Sequence, residues 1–110
     1  MTEKQHDSAR EFEARLESEP ARFSFVLYVA GATSRSLRAV QNAKAACEEL
    51  LQGRYQLEIV DIYKNPQAAR DEQIVAVPTL VRKLPAPLRT VIGDLSNQEK
   101  TLVGLDLIER

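Results

Sequence analysis

Alternating runs of apolar and polar residues divide most of the chain into strands and helices. The run from Phe23 to Ala30 is rich in aromatic and β-branched side chains and ends at Gly31, which predicts a buried first strand followed by a turn. Between Ser34 and Gln52, apolar residues return at helical spacing and polar residues take the other side. The apolar stripe of this predicted helix consists of Leu37, Val40, Cys47, Leu50 and Leu51.

The same region carries signals for the ends of the helix and for a second strand. Thr33, Ser34 and Ser36 are all suitable N-caps, and Gly53 stands where a helix commonly ends. Residues 55–60 then alternate before becoming continuously apolar, which predicts a second strand. A strand, a helix and a strand in this order predict a parallel, right-handed βαβ unit.

In the second half of the chain, prolines and helix-capping residues predict where the helices and strands begin. Asn65 and Pro66 predict the cap and first position of a short helix over 67–72. Pro78 interrupts a β-prone run, so we expect it to mark the start of the third strand. A further strand is predicted over 88–93, then a capping box from Ser96 to Glu99 and a helix over 102–108, which gives the order β-α-β-α-β-β-α.

The first 22 residues differ from the rest in charge density. They carry six acidic and four basic side chains, so we expect a charged N-terminal extension at 1–22 before a domain at 23–110. Ser8 and Glu11 have the spacing of a capping box, which favours a helix over 8–18. Its apolar stripe, formed by Ala9, Phe12 and Leu16, is narrow. Such a helix needs a surface to pack on, and a solvated tail is the alternative.

Composition excludes several functional classes. Fifteen basic and sixteen acidic residues leave a net charge of -1, which gives no general attraction to nucleic acid or anionic lipid. No apolar run approaches the roughly 20 residues of a membrane span, and the charged start of the chain does not resemble a secretion signal, so we expect a cytoplasmic protein. A single cysteine and a single histidine predict no metal site, and the four glycines lack a nucleotide-binding spacing, so no cofactor is expected.

The order of elements, with Val77-Pro78-Thr79 before the third strand, looks like the thioredoxin fold in the α/β class. Thioredoxin chemistry needs two cysteines where the first strand meets the first helix. Residues 31–36 carry hydroxyls there instead, and Cys47 belongs to the predicted core stripe. The residues therefore favour a binding module over an enzyme.

Five phrases of the sequence resemble the KaiB family of circadian-clock proteins, in that family's order and spacing over about 25–107. They are Leu27-Tyr28-Val29-Ala30-Gly31, Lys64-Asn65-Pro66-Gln67, Ala76-Val77-Pro78-Thr79-Leu80, Ile92-Gly93-Asp94-Leu95-Ser96 and Gly104-Leu105-Asp106-Leu107. The resemblance implies a protein without enzymatic activity that binds a KaiC-type hexameric ATPase and autokinase and modulates its phosphorylation cycle. It also implies two folds for one sequence. One is a self-associating dimer or tetramer with a rearranged C-terminal half, and the other is a thioredoxin-like monomer that binds the ring.

The resemblance further implies roles for individual residues. The expected partner-binding set is Arg38, Gln56, Glu58, Arg82 and Arg89. The expected fold-switch control set is Pro78, Gly93, Gly104 and Asp106. The chain departs from well-studied members where Glu58, Gln73 and Thr90 replace basic residues and Ala86 replaces a proline, so we expect a partner with compensating charge, in a clock or a simpler timer.

Two other functions stay open at the level of sequence. One is a thiol or glutathione-type oxidoreductase on the same fold, which would have to use Cys47. The other is a detached sensory domain of a clock-associated histidine kinase, a class of protein that is also a possible partner.

Overall fold

A computed structural model describes residues 22–109. The predicted extension at 1–22, with its helix at 8–18, lies almost wholly outside the described residues, as does Arg110. Within 22–109 the elements are β1 Phe23–Val29, α1 Ser34–Leu50, β2 Tyr55–Asp61, α2 Pro66–Asp71, β3 Thr79–Leu84, β4 Arg89–Ile92 and α3 Gln98–Gly104. This is the predicted order, and the predicted α/β, thioredoxin-like class is confirmed.

The strands of the described chain form one sheet in the order β2-β1-β3-β4. β1 pairs with β2 in parallel, as the βαβ prediction requires, and with β3 in antiparallel. β4 pairs antiparallel with β3. β2 and β4 are therefore the edge strands, with three interstrand steps between them, or about 14 Å.

Side chains of β1 alternate between two apolar clusters, one on each face of the sheet. Phe25, Leu27 and Val29 form the larger cluster with α1 and with Leu105, which follows α3. Val26 and Tyr28 form the smaller cluster with Val81, against residues in and around α2. We call these the α1 face and the α2 face. A strand with both faces covered explains the unbroken apolar run in β1.

The buried side of α1 differs from the predicted stripe. Its buried residues are Ser36, Ala39, Ala43, Ala46 and Cys47. Leu37, predicted to be in the core, is 52% exposed. Small alanine side chains at this spacing let the helix lie close to the sheet. The prediction used the largest apolar side chains, and these lie on an adjacent part of the helix surface. Thr33 is the N-cap and accepts a hydrogen bond from the Ser36 amide at 3.1 Å.

The two later helices end in the same way. The amides three residues beyond the last residue of each helix, at Ile74 and Leu107, donate five residues back to the carbonyls of Ala69 and Leu102. This is the Schellman arrangement, in which the first residue after the helix C-cap adopts a left-handed conformation. Gln73 and Asp106 hold that position, with φ of 56° and 59°.

The capping box predicted at Ser96 is wrong, although α2 begins at Pro66 after an Asn65 cap as predicted. Asn97 caps α3 by accepting from the Lys100 amide at 3.0 Å. The Ser96 amide instead donates to Asp94 Oδ1 at 3.1 Å. This turn moves the N-cap from Ser96 to Asn97. The helix runs over Gln98–Gly104 instead of the predicted 102–108, because it begins directly after this cap and the Schellman end closes it at Gly104.

Candidate partner-binding surface

The outer side of β2 is an exposed strand edge that carries two of the predicted contact residues. β2 pairs with β1 and has no other strand neighbour within the described part of the chain. Gln56 and Glu58 are exposed, and Ile59 is 40% exposed. An edge of this kind presents backbone amides and carbonyls to which another chain can add a strand. We call Gln56, Glu58 and Ile59 the β2 edge surface.

Glu58 gives this surface a local acidic character. It is in register with Val26, which places its side chain on the α2 face. On that face Lys83 donates a hydrogen bond to Glu72, and this bond is the main reason that the pKa of Lys83 is raised. Burial raises the pKa of Tyr28, and the charge of Glu58 adds to both shifts. The negative charge of Glu58 therefore acts on Tyr28 of β1 and on Lys83 of β3.

Arg38 lies on the other side of the sheet from Glu58. It belongs to α1, and its Nε donates to Asp94 Oδ2 at 3.3 Å. The Asn42 amide group also holds this loop, by donating to the Asp94 carbonyl at 2.8 Å. Arg38 keeps 58% of its side chain exposed, so it can still meet a partner, but beside the β4–α3 loop and not beside the β2 edge surface.

Arg89 and Arg82 occupy two further environments. Arg89 is exposed on β4, at the opposite edge of the sheet from β2. Arg82, although expected to contact a partner, is 3% exposed. Its Nη2 donates to the Pro87 carbonyl at 2.9 Å, and its Nη1 lies 3.5 Å from the Asp106 carbonyl. The structure therefore does not bring the five predicted contact residues together, and it removes Arg82 from the accessible surface.

The four predicted control residues, in contrast, surround one junction between β3, β4 and α3. The Gly93 amide donates to the Pro78 carbonyl at 2.9 Å, and Gly93 has a φ of 121° that favours glycine. A Cβ on Gly104 would lie 2.7 Å from Val91 Cγ2, so only glycine permits this approach of α3 to β4. Asp106 follows α3 in the left-handed conformation, and its backbone carbonyl lies 3.5 Å from Nη1 of Arg82. Arg82 thus belongs with this group by position.

The junction of β1 and α1 is occupied by hydroxyl groups engaged in capping. Thr33 Oγ1 donates to Ser36 Oγ at 3.0 Å, and Ser36 Oγ accepts from the Ala30 amide at 3.2 Å. Cys47 is 2% exposed within α1, and burial raises the pKa of its thiol to about 12. A protonated, covered thiol is a poor nucleophile. The geometry thus gives no support to the oxidoreductase alternative.

Two aspartates with structural roles were not identified as important from the sequence. Asp94 connects α1 to the loop before α3, and hydrogen bonds from Ser96, followed by those from Arg38, lower the pKa of its carboxyl. Asp61 Oδ1 accepts from the Gly31 amide at 3.0 Å and from the Tyr63 amide at 2.9 Å. The sequence did contain a signal for the role of Asp94. An aspartate commonly accepts a hydrogen bond from the backbone amide two residues later, and Ser96 holds that position.

Residues 22–109 contain neither a cluster of metal ligands nor a membrane-spanning helix. In that range, histidine, cysteine, aspartate and glutamate side chains do not gather in a group of three that could hold a metal ion. The helices of the same range lack the length and apolarity needed to cross a bilayer.

Comparison with known sequences gives one consistent result. Residues 26–107 match the family model described as the KaiB domain. The circadian clock oscillator protein KaiB of Microcystis aeruginosa is 52% identical over 82 residues, which cover 74% of this chain and 79% of that protein. The protein of the same description from Thermosynechococcus vestitus is 48% identical over 91 residues, covering 81% of this chain and 84% of that one.

Comparison with solved structures agrees on the fold. The N-terminal domain of Synechococcus elongatus SasA superposes with a TM-score of 0.65 at 21% identity, covering 84% of this chain and 91% of that one. Mitochondrial thioredoxin 3 of Saccharomyces cerevisiae superposes with a TM-score of 0.63 at 15% identity, covering 88% and 89%. At these identities the likeness concerns the backbone architecture alone.

Proposed function

Because this chain belongs to the KaiB family of circadian clock proteins, we propose that it binds a KaiC-type hexameric ATPase and autokinase and modulates the phosphorylation cycle of that ring. The single observation that supports this most is the family match, which spans nearly the whole described domain. The clock names of the relatives are those of regulatory proteins rather than enzymes. The engaged hydroxyls at the β1–α1 junction agree with a protein that works by recognition.

The β2 edge surface is the contact we propose for the ring. Its free backbone groups can pair with a strand of the partner, and such pairing gives affinity without demanding a particular sequence. Glu58 would then supply specificity, because an exposed acid at an interface favours a partner that presents lysine or arginine opposite it. Arg38 and Arg89 would contact more distant parts of a large partner, and Arg82 would act from inside the domain.

A second arrangement of the C-terminal half is also part of the proposal. In it the protein forms a dimer or tetramer, and the thioredoxin-like form binds the ring. The support is local: Pro78, Gly93, Gly104 and Asp106 all lie where β3, β4 and α3 contact one another, so a rearrangement of these elements would change the surroundings of all four. Nitrogen–proton NMR spectra at low protein concentration should show two sets of signals for residues 74–108 if both arrangements exist, and one set otherwise.

The direct test is size-exclusion chromatography with the KaiC-type ATPase of the same genome, after a day of incubation with ATP. We expect co-elution of the wild-type protein. Glu58→Lys should weaken co-elution strongly, because it reverses a contact charge, and Glu99→Lys on exposed α3 is the matched control that should bind like wild type. Absence of wild-type co-elution would contradict ATPase binding. Equal binding by both variants would contradict only the assignment of the contact to the β2 edge surface.

A sensor histidine kinase remains a predicted second partner. The likeness to the SasA N-terminal domain concerns the fold, so it supports only the idea that the two domains could occupy the same kind of binding surface. Adding the kinase domain to the chromatography mixture distinguishes direct binding, seen as a shared peak without the ring, from competition, seen as displacement from it. The cytoplasmic location stays a prediction as well.

A further inference from the structure

An apolar cleft lies on the α2 face between β4 and the segment that follows α2. Its floor contains the buried Thr79 and Val81. Its walls carry three exposed apolar side chains: Val75 at 89%, Leu88 at 50% and Ile92 at 58% exposure. We call Val75, Leu88 and Ile92 the apolar strip.

The apolar strip is the half of the α2 face that α2 does not cover. Val60, Ile62 and Ala68 pack against Val26 and Tyr28, on the side of the sheet nearer β2. Within residues 22–109, no helix lies over the outer side chains of β4 on this face. Exposed apolar side chains grouped along the walls of one cleft indicate a surface that another segment covers.

The chain enters the sheet close to this strip. Phe23 is the first residue of β1, and Ser24 is paired with Leu84 at the end of β3, where the turn to β4 begins. Leu88 directly precedes β4, at the same end of the sheet. From β1 to β4 is two interstrand steps, or about 10 Å. The six residues between Leu16 and Phe23 can span up to about 20 Å, which is ample.

The preceding segment also matches the strip in length. A helix over 8–18 would place Ala9, Phe12 and Leu16 in a stripe about 10 Å long, at 1.5 Å per residue. Leu88 and Ile92 are four residues apart on one side of β4, a separation of about 13 Å. Phe12 and Leu16 would be about 6 Å apart along this helix, so with Leu16 beside Ile92 the stripe from Leu16 through Phe12 to Ala9 extends most of the way to Leu88.

We propose that the apolar strip is the docking site of the chain's own N-terminal segment, with Leu16 packed against Ile92 and with Phe12 and Ala9 extending toward Leu88. Residues 1–25 lie outside the family match, so this cover is an addition to the KaiB domain. It hides an apolar surface beside the β3–β4–α3 junction from a second copy. Docking of this segment does not require binding to the ATPase.

Disulfide trapping in the full-length chain tests this contact. Leu16→Cys/Ile92→Cys is compared with Leu16→Cys/Leu37→Cys, because Leu37 is similarly exposed, at 52%, but lies on α1, across the sheet. Native Cys47 is buried and stays reduced. With dilute protein and mild oxidant we expect at least about tenfold more intramolecular disulfide in the first pair, since docking raises the effective concentration of the two thiols. Intact mass and gels without reductant measure it.

Equal trapping in the two pairs, or none in either, would contradict docking. Covalent dimers through residue 92 as the main product would assign the strip to a second copy instead. Full-length Phe12→Ser/Leu16→Ser provides a readout without engineered cysteines: we expect amide chemical-shift changes at 74–76 and 88–92, and unchanged signals in α1. Shift changes spread over the whole domain, or absent from the strip, would overturn the proposal.

Discussion

Arg82 allows the energetics of the β3–β4–α3 junction to be tested most directly. Its guanidinium is buried, and no carboxylate of residues 22–109 forms an ion pair with it. Two carbonyls accept from it, and its Nε has no hydrogen-bond partner in the described part of the chain. We expect Arg82→Ala to destabilise the domain strongly and Arg82→Met to leave its stability nearly unchanged.

The magnitude follows from three contributions. The hydrogen bond to Pro87 at 2.9 Å, from a charged donor, contributes about 1.5–3 kcal/mol, whereas the contact to Asp106 at 3.5 Å is too long to add much. Burying an uncompensated cation costs several kcal/mol, which offsets that gain. The buried stem of three methylenes contributes about 2 kcal/mol. Methionine keeps most of the stem, and alanine loses it and leaves a cavity, so the alanine variant should lose about 2–4 kcal/mol.

Urea unfolding followed by far-UV circular dichroism, at one fixed protein concentration, measures these differences. Arg82→Met should unfold within about 1 kcal/mol of wild type, and Arg82→Lys should be less stable than Arg82→Met because it retains the charge but not the fork of donors. Exposed Arg38→Ala is the control and should change stability by no more than about 1 kcal/mol, as expected for a surface ion pair. If Arg82→Met lost as much stability as Arg82→Ala, the claim that charge burial offsets the hydrogen bond would be refuted.

Four further predictions concern single residues. Gly104→Ala should destabilise the domain by about 1–2 kcal/mol, because overpacking against Val91 exceeds the gain in helix propensity, and urea unfolding of this variant measures it. Asp106→Gly should stabilise the thioredoxin-like form by about 1 kcal/mol, since glycine adopts its left-handed conformation without strain, as a higher urea midpoint would report. Cys47, with its pKa near 12, should react with a thiol reagent at pH 8 only when the protein unfolds, and fast labelling of the native protein would contradict this. Folding lowers the pKa of the Asp94 carboxyl, so its ionised form stabilises the folded domain above the ordinary pKa of 3.8, and this stabilisation is lost as the pH falls through the pKa of the folded state. In Asp94→Asn the free energy of unfolding, measured by urea unfolding at a series of pH values, should therefore fall less steeply on the acid side.

Local patterns predicted the elements well wherever one residue decided the local geometry. Pro66 after Asn65 set the start of α2, and Pro78 set the start of β3, because a proline lacks an amide and fixes φ. The start of α3 was missed, since Ser96 and Asn97 are both good caps and the choice depended on which amide the Asp94 side chain engaged. The C-terminal end of α3 was missed because it depends on Asp106 adopting the left-handed backbone conformation. Aspartate adopts this conformation only occasionally, so its presence in the sequence does not predict a helix end.

The predicted site was harder to assemble than the fold. Gln56 and Glu58 are neighbours along one strand, so the sequence could place them together. Their distance from Arg89 depends on the order of strands in the sheet. The sequence predicts a parallel β1–β2 unit and a β3–β4 pair, but it does not say which strand of one lies beside which strand of the other. The burial of Arg82 depends on how the turn at Pro87, five residues on, and the end of α3 at Asp106, 24 residues on, fold over its side chain, and the local pattern around Arg82 does not show this.

By itself the sequence determined the order of strands and helices, the lack of a thiol pair at the first strand–helix junction, and the family. These depend on residue type and short-range spacing, which the chain carries wherever it folds. Only the tertiary structure decided that alanines rather than Leu37 face the sheet, that Arg82 lies inside, and that the apolar strip stays uncovered by residues 22–109. The reason is that the surroundings of a side chain are set by the elements that pack over it, and those come from distant parts of the chain.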